Sequence, residues 1–425
     1  MIYDLGFAVF SLFYLPVLIF KGKLHKDFGE RFGEYAKGKR DSLAVSKDAI
    51  WIQAVSVGEV ALCRAVIPLI RKRFQSSTIV ISTITKTGND LAKKLFSNDA
   101  VIIYFPLDFS FIVRKVVNLV RPKVYVMVET EIWPNVLKEL DARSVPSILI
   151  NGRISDKSFN KYMLARPFLR KTLGFIHKYC MQSKLDADRI IAMGAPAEKV
   201  SVAGNVKLDI LPSVPRNTTG RTLETLGLKE GDALFVAGST HAGEEEMVIS
   251  AYDKLLADFP GLQLLIAPRH VERSSDLCRA VKTAGFNPVK VSDISVGRIS
   301  LPAKKVFVLD RIGQLAEFYA ASMIVFVGGS LVKHGGQNPV EPAILEKPVI
   351  FGPHMFNFRS IVTILLERDG AVQVQDEDEL TRQILALLSD PDKRSSLGRN
   401  AKAAILDNRG AADRCVDEIV QLAKG

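Results

Sequence analysis

Cysteine is scarce and dispersed. Cys63, Cys180, Cys278 and Cys415 stand far apart without CxxC spacing, which argues against both a zinc site and a disulfide framework. All four fall in stretches that read as helix or strand, so core or near-core thiols are expected. The six histidines show no metal-ligand spacing. There is no P-loop, no GxGxxG fingerprint and no short repeat. After the first twenty residues no stretch is apolar enough to read as a membrane span. Lysines and arginines are spread out, with no aromatic-rich basic stripe and no known nucleic-acid module. Nucleic acid is therefore not an expected partner.

What is present in excess is positive charge. The 425 residues carry a net charge of +11, which favours anionic partners such as phosphates, acidic sugars or an anionic lipid surface. With 48% hydrophobic and 24% charged residues, the chain can bury a sizeable core, and its length suits two domains. Leu5 to Phe20 is almost wholly apolar apart from Ser11 and Pro16, and Lys21, Lys23 and Lys26 follow. No basic segment precedes the run and no small-residue cleavage site follows it, so it does not read as a signal peptide. Three readings stay open: a span with the rest of the chain on the cytoplasmic side, an insertion into one leaflet, or a buried helix of the first domain. The first two make residues 1–22 a membrane anchor, the assignment adopted here. The basic segment over 26–40 suits either anionic headgroups or a solvated connector.

From residue 50 the pattern alternates. Short apolar runs at 51–55, 78–84, 101–105, 124–128 and 146–150 read as buried parallel strands, with further strands at 175–181 and 200–203. Helical periods lie between them. A segment rich in Pro, Ser, Thr and Gly over 209–220 breaks the rhythm. Strands then resume at 233–237, 262–267, 306–309, 323–327 and 348–351, and helical patterns from about 377 to 424 close the chain. The expected fold class is α/β, with two doubly wound Rossmann-like domains. The expected boundaries are a first domain over 23–207, a linker over 208–232 and a second domain over 233–425.

In such sheets ligands bind beyond the carboxyl ends of strands. Glu59 follows the first strand and Glu129 the fourth, each either a site carboxylate or a helix cap. Lys207 stands at the approach to the linker, either a phosphate partner or a surface lysine. In the second half, Ser239 and Thr240 follow one strand and Arg269 another, where a guanidinium could pair with phosphate. Ile312, Gly313 and Gln314 follow a third. The Gly-rich stretch 328–343 follows a fourth, with Gly335 and Gly336 inside it. There Asn338 suits an N-cap and Pro339 the first helical position, with Val340 and Glu341 in the first turn. Its glycines either cradle a ligand or only shape a turn. His270 is either an auxiliary site residue or a structural one.

Taken together, the motifs resemble the 3-deoxy-D-manno-octulosonic acid (Kdo) transferases of lipopolysaccharide synthesis. The pieces are Gly29-Glu-Arg-Phe-Gly33, Ala54-Val-Ser-Val-Gly-Glu59, Val128-Glu-Thr-Glu-Ile-Trp-Pro-Asn135, Asn205-Val-Lys207, Ala237-Gly-Ser-Thr-His241, Ala267-Pro-Arg-His270 and the Gly-rich segment. The resemblance implies a GT-B glycosyltransferase, held at the cytoplasmic face of the inner membrane. It would move Kdo from CMP-Kdo to a lipid A precursor (lipid IVA), inverting the donor's anomeric configuration, with no cofactor and no metal in the transfer step. By the same resemblance the first domain takes the acceptor and the second the donor. Glu59 matches the general base, and Glu129 and Lys207 match positions that stabilise the transition state. Pro268 and Arg269, Ile312 to Gln314, and Asn338 to Glu341 match the segments that hold CMP. Ser239, Thr240, Gly335 and Gly336 are candidate donor contacts. Two departures stand out: Asp310-Arg-Ile-Gly-Gln314 differs from the usual Asp-Thr-Met-Gly-Glu, and Lys333 replaces a common proline. The rival on the same fold is a UDP-sugar transferase or epimerase.

Overall fold

The computed structural model describes residues 3–8, 27–46, 48–210, 218–229, 231–294 and 303–424. It divides into two compact units, one of Met1–Ile210 with Arg409–Gly425 and one of Leu211–Asn408.

The first unit is built on seven strands: β1 (Ala49–Gln53), β2 (Ile79–Thr83), β3 (Ala100–Tyr104), β4 (Pro122–Val128), β5 (Ser147–Gly152), β6 (Lys178–Met181) and β7 (Val200–Val202). Their order is β3-β2-β1-β4-β5-β6-β7, with every pairing parallel. Side chains of a strand alternate between sheet faces. Here both faces are covered, so both parities are apolar. Ile50 and Ile52 join Val124 and Val126 in one core, against helices Val57–Arg73 and Ala411–Lys424. Trp51, Tyr125 and Met127 join the other, against helices Ser110–Val120 and Pro134–Asp141. This is why the strands read as unbroken apolar runs. Strand order reverses between β1 and β4, and the segments that follow those two strands carry Glu59, in the first turn of helix Val57–Arg73, and Glu129.

The second unit repeats the plan with β8 (Leu234–Thr240), β9 (Gln263–Pro268), β10 (Asn287–Lys290), β11 (Lys305–Val308), β12 (Ile324–Val327), β13 (Val349–Phe351) and β14 (Ala371–Gln373), in the order β10-β11-β9-β8-β12-β13-β14. All its pairings are parallel too. Its reversal point lies between β8 and β12, which carry the 239–241 segment and the Gly-rich loop.

The structure departs from the sequence expectation in four places. The final helix Ala411–Lys424 belongs to the first unit, not to a second domain running to 425. Its buried face, from Ala412 through Cys415, Val416 and Ile419, packs into the first core. Asp209 fixes its start by accepting from Gly410 N–H and Ala412 N–H, each at 2.7 Å. Second, the region expected as linker holds a 3-10 turn at Val206–Asp209 and a helix at Thr218–Thr225, because Leu223, Leu226 and Leu228 find burial; residues 211–217 lie outside the described ones. Third, two edge strands were unforeseen. Sheet edges need less apolar length, and Pro288 in β10 is tolerated there. Fourth, the expected anchor over 1–22 lies mostly outside the described residues, of which 3–8 are helical. Among the described residues no helix is long and apolar enough to cross a membrane. Cys63, Cys180 and Cys415 are buried and Cys278 is half-buried, all as free thiols.

Candidate active site

In the first unit, Ser56 opens helix Val57–Arg73 and Glu59 sits at its third position, completing a capping box. The Ser56 N–H donates to Glu59 Oε2 at 2.8 Å and the Ser56 hydroxyl donates to the same oxygen. Glu59 thus caps its helix, as one reading of the sequence had it. Both bonds fall on Oε2, so the cap fixes the carboxylate while Oε1 stays outside these bonds.

Glu129 follows β4 with its backbone at φ +61°, a conformation that costs a non-glycine residue about 1–3 kcal/mol and persists only where the surroundings hold it. Its N–H donates to Ile150 O at 3.0 Å, continuing the ladder to β5. Burial raises the Glu129 carboxyl above its ordinary value, Lys207 and Arg153 pull it back, and Glu59 pushes it up. Lys207 sits on the turn Val206–Asp209, whose start is fixed by Asn205 Oδ1 accepting the Lys207 N–H at 3.0 Å. Burial lowers the Lys207 ammonium, and Glu129 is the strongest opposing influence. Glu59, Glu129 and Lys207 therefore share one electrostatic neighbourhood, although they stand far apart in sequence.

Two further members join them: Glu131, the second carboxylate after the fourth strand, and Arg153, which the sequence reading did not single out. Glu131 is half-buried, and burial, then Glu59 and Glu129, push its carboxyl up to about 7. Arg153 follows β5, and its N–H donates to Thr130 Oγ1 at 3.3 Å. The run expected over 146–150 continues as strand to Gly152, and reading three residues past the expected end would have found Arg153. Burial is the first cause of the raised Glu129 and Glu131 carboxyls, and the neighbouring carboxylate charges push both further in the same direction.

In the second unit, Ser239, Pro268, Arg269, Ile312 and Gly313 line one pocket of about 270 Å³. Glu341 is held up by burial and drawn back by Asn338 and Arg269, so the Asn338–Glu341 segment reaches the same neighbourhood. Asn338 Nδ2 donates to Glu341 Oε1 at 3.1 Å. The short helix Val340–Ile344 begins one residue later than expected, with Pro339 as its cap and Asn338 Oδ1 accepting from Val340 N–H at 3.1 Å. Gln314 precedes helix Leu315–Ala321, half-buried.

The Gly-rich loop is occupied by the protein itself. Gly329, Ser330 and Leu331 donate their N–H groups to the Glu244 carboxylate at 2.6, 2.8 and 3.0 Å, and His241 N–H adds a fourth bond at 3.0 Å. These donors are thus spent on a buried carboxylate and not offered to phosphate. Gly328 is where β12 meets β8 at close range: a Cβ there would come within 2.6 Å of Ser239 O. Gly335 and Gly336 are buried at positive φ and pack on Asn357 and Met355. They shape the turn. Thr240 is fully buried, and its hydroxyl donates to Glu245 Oε1 at 3.0 Å. Of the four candidate donor contacts, Ser239 is the one that lines the pocket.

Comparison with known proteins places these observations. The family described as 3-Deoxy-D-manno-octulosonic-acid transferase (kdotransferase) matches residues 26–210. A curated relative from Haemophilus influenzae, a 3-deoxy-D-manno-octulosonic acid transferase, is 33% identical over 389 residues, covering 91% of this chain and 89% of that one. Among solved structures, a glycosyltransferase from Rickettsia africae aligns with a TM-score of 0.62 at 12% identity, over 89% of this chain and 98% of that one. A UDP-GlcNAc 2-epimerase from Neisseria meningitidis aligns at 0.60, also at 12% identity, over 88% and 100%. These two likenesses speak for the fold of two parallel-sheet α/β domains, the GT-B type, and for nothing finer.

Proposed function

This chain belongs to the 3-deoxy-D-manno-octulosonic acid (Kdo) transferase family of glycosyltransferases, and we propose that it transfers Kdo from CMP-Kdo to a lipid A precursor such as lipid IVA, with Glu59 as general base. The observation that carries this reading is the meeting of Glu59, Glu129 and Lys207 at the switch point of the first sheet.

Glu59, fixed by Ser56, takes the proton of the acceptor sugar hydroxyl as that oxygen attacks the anomeric carbon of Kdo. The new carbon–oxygen bond forms as the bond from the anomeric carbon to the CMP phosphate oxygen breaks. CMP departs with that electron pair, and the configuration inverts. Lys207 supplies positive charge as the phosphate leaves, and Glu129 holds Lys207 in its buried place. Nothing in this sequence of steps calls on a metal or a cofactor.

In the second unit Arg269 would take the phosphate and Glu341 the ribose hydroxyls. Ile312, 85% exposed beside the pocket, offers apolar surface to the cytosine ring. The protein would work at the cytoplasmic face of the inner membrane. Helices Asp156–Leu164 and Arg166–Gly174 support this: Leu164 and Phe168 are exposed, as are Lys157, Lys161, Arg166, Arg170 and Lys171, while Asp156 is tied to Arg189. Exposed apolar tips ringed by basic residues suit an anionic bilayer surface.

The test is a transfer assay in detergent with freshly made CMP-Kdo and a tetra-acylated lipid A precursor, read by mass spectrometry. Wild type should add Kdo, and folded Glu59→Ala should fall by at least about 10²-fold, the lower range for a general base. Product from Glu59→Ala at the wild-type rate would remove Glu59 as the base. No product from wild type would point to a different donor.

A further inference from the structure

Three histidines converge beside the nucleotide pocket. His241 follows β8, His270 follows β9, and His334 lies on the Gly-rich loop after β12. The His241 and His334 rings stack at 4.2 Å and 12°, and His270 meets His241 edge-on at 6.2 Å and 87°. Stacked rings do not aim their nitrogens at one point, and among the described residues no His, Cys, Asp and Glu group is placed to hold a metal. His270 and Arg269 line the pocket, and His334 is exposed.

The charge around this trio is one-sided. Burial and the neighbouring His334, His270, Arg273 and Arg269 push His241 down to about 4. Two of the acids on the same elements are committed elsewhere, while the exposed Glu272 shares the pocket lining with Arg269, His270 and Arg311. Glu244 accepts four backbone N–H groups, and Glu245 pairs with both Arg273 nitrogens at 2.8 and 2.7 Å. Glu341 lies under the influence of Arg269. His241 is also held in place. Gln337 Nε2 lies 3.2 Å from its Nε2. With the amide so assigned, the nitrogen of Gln337 donates, Nε2 accepts, and the ring proton sits on Nδ1. Gly329, at φ +68°, leaves room for both: a Cβ there would stand 3.2 Å from His241 Cδ2 and 3.3 Å from Gln337 Nε2.

We propose that His241, His270 and His334 form a second anion subsite beside the nucleotide pocket, taking the carboxylate of the donor's acidic sugar, apart from the phosphate. The inference rests on the CMP-Kdo reading and deepens it. Arg269 and Arg311 share the pocket lining with one acid, Glu272, so imidazoles placed beside them are stabilised by an incoming anion, which favours the protonated rings. A neutral sugar brings no such gain, so the trio selects an acidic sugar over a neutral one. Binding should draw a proton from solvent, and affinity for the acid-sugar nucleotide should weaken as pH rises.

The experiment measures the KM for freshly made CMP-Kdo and the inhibition constant of CMP, for wild type and for His334→Asn, His270→Asn and His241→Asn. CMP carries the phosphate and lacks the carboxylate. The expected result is a KM raised roughly tenfold or more, the loss of one charge-assisted hydrogen bond, with CMP inhibition within about twofold of wild type. Retained CMP inhibition also reports a folded second unit, and the exposed His334 is the safest of the three to replace. The wild-type rise of KM between pH 6.5 and 8.5 should flatten in the variants. CMP inhibition that weakens in step with KM would overturn the proposal, since the trio would then serve the phosphate. Unchanged KM in all three variants would overturn it as well. Wild type that neither binds CMP nor uses CMP-Kdo would overturn the donor reading, and this subsite with it.

Discussion

Replacing Glu131 with glutamine should stabilise the first unit at alkaline pH and leave it nearly unchanged in acid. In the folded protein burial and the Glu59 and Glu129 charges hold the Glu131 carboxyl up to about 7, against an ordinary value of 4.5. The folded state therefore keeps a proton that the unfolded chain releases. Between about pH 4.5 and about pH 7 the folded form binds more protons, so this group's contribution to stability falls as pH rises, and above that window the full cost is present. At about 1.4 kcal/mol per pH unit the gap comes to about 3 kcal/mol. That is an upper bound, because side chains and water relax around an ionised buried carboxylate. A measured gain of about 1–2 kcal/mol for Glu131→Gln at pH 8 is the expectation. The chain carries two tryptophans, Trp51 and Trp133, and both lie in the first unit. Urea unfolding followed by tryptophan fluorescence thus reports this unit selectively. With a urea slope of about 2 kcal/mol per molar, the midpoint should rise by about 0.5–1 M at pH 8 and by almost nothing at pH 4.5. A variant no more stable than wild type at pH 8 would refute the argument, as would an equal gain at both pH values.

Two other substitutions follow from bonds described above. Asp209→Ala removes both acceptors that fix the start of the last helix and should cost the first unit about 1–2 kcal/mol; limited proteolysis should then clip near residue 409 at a protease concentration that spares wild type. Glu244→Gln puts an amide where four backbone N–H groups converge, so its own donors meet donors; thermal unfolding should show the second unit losing roughly 3 kcal/mol, and CMP binding should weaken with it.

Much of this was readable in the chain, and the limits have physical causes. Strands buried on both faces cannot alternate, so runs such as Ile79–Thr83 and Val124–Val128 announced a parallel sheet. The edge strands Asn287–Lys290 and Ala371–Gln373 are short and partly exposed, and carry almost no such signal. The helix Ala411–Lys424 is amphipathic wherever it packs. Its periodicity says that it buries a face, but only Asp209, two hundred residues earlier, says against which unit.

The candidate site divides the same way. A strand-end rule finds residues by where the backbone delivers them, so it found Glu59, Glu129, Arg269 and the Gly-rich loop. It cannot tell which polar groups the protein will satisfy internally. A Gly-rich loop with open N–H groups and a loop whose N–H groups are filled by Glu244 have the same sequence signature, because the filling carboxylate comes from the segment after a different strand. That difference decides where an anion can bind in the second unit. With the loop's donors taken, positive charge for a ligand must come from side chains, and those beside the pocket are Arg269, Arg311 and the histidines around them. Glu244 thus moves the anion site from backbone to side chain. Phosphate is thereby left to the Arg269 side chain, and under the proposal above the histidines answer to a second anion whose hold depends on their protonation.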